Sequence, residues 1–167
     1  SSGRLRVDDS NKFKSDRAEK TLASHEAGGL DDAMEDADVF IGLSAPGIVS
    51  EEMVESMSDD PIVFALANPE PAILPDKAKD AGAYITATGR SDFDNQVNNS
   101  LAFPGIFRGA LDADVSQITE EMKAAASEAI RDFVEPERDR IVPKTLDQSL
   151  ALEIADRVRE AAEESNT

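Results

Sequence analysis

Asp38-Val39-Phe40-Ile41-Gly42-Leu43-Ser44-Ala45-Pro46-Gly47, followed by Ile62-Val63-Phe64-Ala65-Leu66-Ala67-Asn68-Pro69, decides the fold. Each stretch is a near-continuous apolar run that stops abruptly at small or turn-forming residues. Short runs of this kind suit strands buried on both faces, which is what a helix-covered parallel sheet requires. Ala83-Tyr84-Ile85-Thr86-Ala87 is a weaker third run, and amphipathic stretches separate all three. The alternation predicts an α/β fold: a Rossmann-like parallel sheet, made of the later strands of a doubly wound sheet, with a helical C-terminal tail.

Working outward, Ser50 precedes Glu51-Glu52-Met53-Val54-Glu55-Ser56-Met57 and can cap that helix, with both glutamates near its positive end. Pro75 suits a first helical position, and Lys77 to Ala81 complete the second crossover. Upstream, Ser10 to Ser24 and Leu30 to Ala37 read as helical pieces broken at Gly28-Gly29. After Thr88 the period becomes helical: Ile118, Met122, Ala126, Ala129 and Phe133 share one face, and Leu146, Leu150, Ile154 and Val158 share another. Pro136 and Pro143 bound the connection between them. Pro104, within Leu101 to Leu111, is expected to kink a helix, and Glu163 to Thr167 to fray. The resulting division is a partial N-terminal segment at 1–37, a Rossmann-like core at 38–112 and C-terminal helices of the same domain at 113–167.

The chain of 167 residues carries 35 acidic side chains against 17 basic ones, a net charge of -18. Such a field repels nucleic-acid phosphates and anionic lipid, and no basic stripe offsets it, so neither is an expected partner. No apolar run reaches the roughly 18 residues of a membrane helix. With no cysteine and no secretory pattern, a cytoplasmic location is expected. The acids are dispersed through periodic segments, which suits a solvated surface of the kind found in high-salt cytoplasm. If so, the thermal melting temperature rises between low and molar KCl; a flat response would count against a halophilic surface.

Ligands in open parallel sheets bind outside the carboxyl ends of the strands. The first such end offers Ser44-Ala45-Pro46-Gly47, small residues that let a ligand reach the backbone, with Gly47 free to adopt a positive φ. The second offers Asn68, a donor and acceptor in one side chain, held out of helix by Pro69. The third offers Thr88-Gly89-Arg90-Ser91-Asp92, then Asn95-Gln96-Val97-Asn98-Asn99 opening the next helix. At a helix start Asn98 and Asn99 can hold a carboxylate or phosphate, or one of them can simply cap the helix. His25, the one histidine, and the Asp8-Asp9, Asp31-Asp32 and Asp59-Asp60 pairs read as solvated side chains, so no catalytic residue and no metal ligand is assigned.

These motifs, together with Ser100-Leu101-Ala102-Phe103-Pro104-Gly105-Ile106-Phe107-Arg108-Gly109-Ala110-Leu111-Asp112, resemble the NAD-binding domain of bacterial and archaeal malic enzymes. The resemblance implies oxidation and decarboxylation of malate to pyruvate with NAD or NADP and a divalent metal, Mg or Mn, in a complete enzyme that is a homo-oligomer. By position it implies that Asn68 contacts the nicotinamide ribose and substrate. It implies likewise that Asn98 and Asn99 hold the malate carboxylate, Asn98 also the cofactor, and that Ser44, Ala45 and Gly47 line the nicotinamide side. The family's proton-donating Tyr, Lys base, metal ligands and glycine-rich turn lie upstream of the matching segment, and Tyr84, within the third run, cannot stand in for that Tyr. The polar start at Ser1-Ser2-Gly3 leads us to expect preceding sequence, and the chain alone to be inactive. Arg4, Arg6, Lys12 and Lys14 leave NAD against NADP open. A non-catalytic nucleotide-binding or association module, or another Rossmann dehydrogenase, stay as alternatives.

Overall fold

The computed structural model describes residues 28–145 and 147–165. The expected helix at 10–24, His25, the Asp8-Asp9 pair, the four basic residues near the start and Leu146 lie outside them. Helix α1 (Leu30–Met34) leads into strand β1 (Val39–Gly42), helix α2 (Glu51–Glu55), strand β2 (Ile62–Ala65), helix α3 (Pro75–Asp80) and strand β3 (Ile85–Thr88). A 3-10 turn (Asn99–Leu101) then opens into α4 (Phe103–Asp112), α5 (Glu120–Asp132) and α6 (Gln148–Ser165). The strands form a parallel sheet in the order β1-β2-β3, with Gly42, Ala65 and Thr88 in register at the carboxyl edge. The α/β class and the parallel sheet are as the apolar runs predict.

Local chemistry explains most boundaries. Ser50 Oγ accepts from Met53 N at 3.3 Å, capping α2. Pro75 occupies the first turn of α3, where its missing N–H is one of the unpaired donors anyway. Thr119 Oγ1 caps α5 by accepting from Met122 N at 3.3 Å. Asp147 Oδ1 accepts from Ser149 Oγ at 2.5 Å and from Ser149 N at 2.9 Å at the start of α6, and these bonds hold its carboxyl below the usual range.

Four expectations need correction. The strands are not buried on both faces: Phe40 and Val63 face a core beneath helices, but Val39 and Ile41 on the opposite face of β1 are 48% and 58% exposed. That second face closes toward β3, where Ala87 is buried. Pro104 does not kink a helix, because α4 starts at Phe103 and places it in the first turn, where no hydrogen bond is lost. Asn95 to Val97 do not open a helix either: Asn95 bends with φ +53, and Gln96 is bridged in parallel to Thr88. The expected fraying from Glu163 does not apply to the described residues, where the last helix runs through Ser165 with Arg159 donating to Glu163 Oε1 at 2.9 Å; residues 166–167 lie outside them.

The buried side chains form two clusters with no residue in common. One, under the sheet, includes Met34, Val54, Val63 and Ala78. The other joins Ile106 of α4, Met122 and Ala129 of α5, and Leu150, Ile154 and Val158 of α6. The C-terminal helices are thus a packed helical layer rather than an appendage.

What joins that layer to the sheet is the outer edge of β3. Alternate carbonyls of a parallel strand point away from the sheet and need partners. Thr88 O receives Val97 N at 2.9 Å, Thr86 O receives Asn95 Nδ2 at 3.0 Å, and Tyr84 O receives Arg138 Nε at 2.6 Å. Arg138 also lies over the Tyr84 ring, 5.3 Å from its centroid. Tyr84 therefore sits just before β3 as a docking surface for the α5–α6 connection. An edge that would otherwise template pairing with another chain is covered by its own side chains.

Candidate functional site

Parallel register puts the three strand exits on one edge. The first two exits are tied together: Leu66 N donates to Gly42 O at 2.8 Å, Gly47 N to Pro71 O at 3.0 Å and Val49 N to Ala72 O at 3.1 Å. Gly47 adopts φ +62, as its place in the turn requires, and no atom stands within 4 Å of where a side chain would begin. Ser44 and Gly47 are exposed and Ala45 is half-buried, so the backbone of this loop is open to a ligand.

Asn68 stands in the second exit, in a cis Asn68–Pro69 peptide. It is exposed, and its carboxamide has no hydrogen-bond partner among the described residues. The third exit is braced by Arg90, whose Nε and Nη2 donate to the two carboxylate oxygens of Asp92 at 2.8 and 2.5 Å and whose guanidinium covers the Phe93 ring at 5.3 Å. The bond from Arg90 holds the Asp92 carboxyl below its ordinary value, and the same bond raises Arg90, with Glu70 of the second exit adding its charge. Because the folded value is the lowered one, the stabilisation from Asp92 is complete above the ordinary 3.8 and is lost as pH falls below it. Asp92→Asn should therefore melt below the parent at neutral pH, and the gap should close on acidification; a gap independent of pH would contradict this.

Asn98 caps the 3-10 turn, its Oδ1 accepting from Ser100 N and Ser100 Oγ, both at 3.0 Å, and its Nδ2 reaching Gly89 O at 3.5 Å. The capping alternative thus describes Asn98 as it stands, with its amide still exposed. Asn99, the next residue, is exposed and its side chain has no partner among the described residues. The edge therefore gathers the Ser44–Gly47 backbone, Asn68, Asn98 and Asn99, through loops that are hydrogen-bonded to one another or to β3.

Asn95 was not singled out by the sequence. It is 6% exposed, has φ +53, and makes three side-chain bonds, one to β3 and two to the α5–α6 connection. The signal that could have found it is an asparagine between two polar turns just after a strand, since Asn tolerates the left-handed region better than most residues.

Arg90 is the only cation in the three exit loops at 43–50, 66–74 and 89–102, which also hold Glu70, Asp92 and Asp94. The edge can present amides and backbone N–H groups to a ligand but little positive charge. Among the described residues no group of three His, Asp or Glu side chains could hold a metal ion, and no helix is long and apolar enough to cross a membrane.

A family model described as the malic enzyme NAD binding domain matches residues 4–163. The chain belongs to the malic enzyme family. Relatives of this malic enzyme domain include the bifunctional malic/malolactic enzyme of Bacillus subtilis, 50% identical over 93% of the chain and 38% of that protein. The NADP-dependent malic enzyme of Halomonas elongata is 43% identical over 92% of the chain and 39% of its own length. Among solved structures, the NAD-dependent malic enzyme of Thermotoga maritima superposes with a TM-score of 0.88 at 44% identity, covering 93% of this chain and 42% of that one. The malic enzyme of Entamoeba histolytica gives 0.85 at 39% identity, over 93% and 34%. The chain thus spans well under half the length of these relatives.

Proposed function

We propose that this malic enzyme domain holds the nicotinamide half of NAD or NADP together with a malate carboxylate, as its part in the oxidative decarboxylation of malate to pyruvate. The observation that carries the reading is that two exposed carboxamides without a partner among the described residues, Asn68 and Asn99, stand with Asn98 in the loops at the carboxyl edge of the sheet. Asn68 and Asn98 would hold the cofactor, all three asparagines the substrate, and the open backbone of Ser44, Ala45 and Gly47 the nicotinamide side. The bound cofactor supplies the hydride acceptor. None of these side chains can take up a proton, so they bind and orient, and the domain alone is expected to be inactive. The described residues do not fit a divalent metal, and no step is assigned to one. Homo-oligomeric assembly and a cytoplasmic location belong to the same proposal and rest on the family.

Asn68→Ala should weaken NAD binding, read by calorimetric titration, roughly five- to tenfold, the loss expected for one neutral hydrogen bond to a ligand. An unchanged affinity would overturn the role of Asn68.

A second reading, association with another malic enzyme chain without cofactor, is favoured by the apolar residues left uncovered at β1: Val39, Ile41 and Leu43, the last 71% exposed. Sedimentation velocity decides between them. A concentration-dependent dimer that Ile41→Lys dissolves, with no NAD binding, would favour association.

A further inference from the structure

We propose that Asn95 is the positioning residue that sets where Asn98 and Asn99 stand against β3, acting as a side-chain substitute for the neighbouring strand. The inference rests on the reading of those two asparagines as ligand-facing. Asn95 Nδ2 donates to Thr86 O at 3.0 Å and to Arg138 O at 2.9 Å, and its Oδ1 accepts from Ile141 N at 2.8 Å. One carboxamide, with both donors and its acceptor used, joins β3, the α5–α6 connection and its own loop.

The backbone on either side continues the same pairing. Asn95 O accepts from Thr88 N at 3.3 Å, Val97 N donates to Thr88 O at 2.9 Å, and Asn98 follows at once, beside Gly89. The direction in which the chain leaves Asn95 therefore fixes the start of the 3-10 turn. Thr145 Oγ1 donates to Gln96 Oε1 at 2.8 Å, a further side-chain tie on this loop. It reaches the α5–α6 connection but not the strand.

The chemistry admits few substitutes. Aspartate would set an oxygen against two carbonyl oxygens, and glutamine would force an extra methylene into a filled site. Alanine would leave Thr86 O and Ile141 N without partners and would keep the positive φ at some strain. Glycine removes the carboxamide while accepting φ +53, so it isolates the side-chain bonds.

The test combines amide hydrogen exchange with NAD titration on Asn95→Gly and Asn95→Asp, well below their melting temperatures. Both variants should exchange Val97 and Ser100 N–H at least roughly tenfold faster than the parent, with Met122 and Ala126 of α5 unchanged. NAD affinity should fall by about tenfold, and no further fall should occur when Asn95→Gly is added to Asn98→Ala plus Asn99→Ala. A residue that only stabilised the fold would lower the melting temperature yet leave the affinity of folded protein unaltered. Unchanged exchange at Val97, full function in Asn95→Asp, or additive losses would overturn the proposal. If Asn98→Ala plus Asn99→Ala leaves NAD affinity untouched, the ligand reading fails, while exchange at Val97 still decides whether Asn95 places the loop.

Discussion

Replacing Gly105 and Gly109 together with alanine is expected to lower the unfolding free energy by roughly 2 to 5 kcal/mol, reversing the gain that alanine ordinarily brings to a helix. A β-carbon at Gly105 would stand 2.5 Å from Ile154 Cβ and 2.8 Å from Ala151 O, and one at Gly109 would stand 2.5 Å from Ala155 O. The backbones of α4 and α6 meet along this line, so no flexible side-chain end can give way. The losses should be less than additive, because one displacement of α6 relieves both clashes. Urea denaturation checks it: the midpoint should fall sharply for the pair, and a variant as stable as the parent would mean that α4 and α6 do not pack as closely as described.

Ile154→Ala is expected to cost roughly 2 to 5 kcal/mol, since Ile154 is fully buried between α4 and α5 and its removal leaves a cavity in the helical cluster. Leu152, on the same helix, is 65% exposed. Leu152→Ala should stay within about 0.5 kcal/mol of the parent. Against a typical total of about 5 to 15 kcal/mol, the first change consumes much of the stability and the second almost none. Equal effects from the two would contradict the orientation of α6.

The sheet and the helical layer were legible because their signals are local and periodic. Val39 to Leu43 and Ile62 to Ala67 are apolar runs with turn residues at their ends. Met122, Ala126 and Ala129, like Leu150, Ile154 and Val158, keep a helical interval long enough to fix which face is buried. Ser50 and Gly47 were readable because a capping hydroxyl and a left-handed turn each depend on neighbours a few residues away.

What escaped the sequence depends on distant partners. Continuous apolar runs imply two covered faces, yet Ile41 is open because no described element packs over β1 on that side. Pro104 looks like a helix breaker until the preceding 3-10 turn is known, after which it is a first-turn residue. Asn95 caps Thr86 O of β3 from the loop that follows, but its bond to Arg138 O and that of Arg138 to Tyr84 O each cross a long stretch of intervening chain, and no spacing rule links them. The strand-end amides fall between these cases: their order along the chain suggested a ligand edge, which remains a proposal, while the capping bond of Asn98 and the lack of a partner among the described residues for Asn68 and Asn99 needed the structure.

The acidity of the edge bears on how the domain works. With Arg90 paired to Asp92, the proposed site would bring amides and backbone donors to a ligand and leave the balance of negative charge to other groups. Binding by this domain should accordingly be weak and strengthened by salt, because screening reduces repulsion between a phosphate-bearing cofactor and a chain of net charge -18.

The central claim, that the strand-end amides form the nicotinamide and substrate side of a dinucleotide cleft, is tested most directly by titrating isotopically labelled chain with NAD in molar KCl and following amide resonances. Saturable shifts confined to Ser44–Gly47, Asn68 and Asn98–Asn99 are the predicted result. An absence of shifts at saturating cofactor, or shifts confined to α5 and α6, would contradict it.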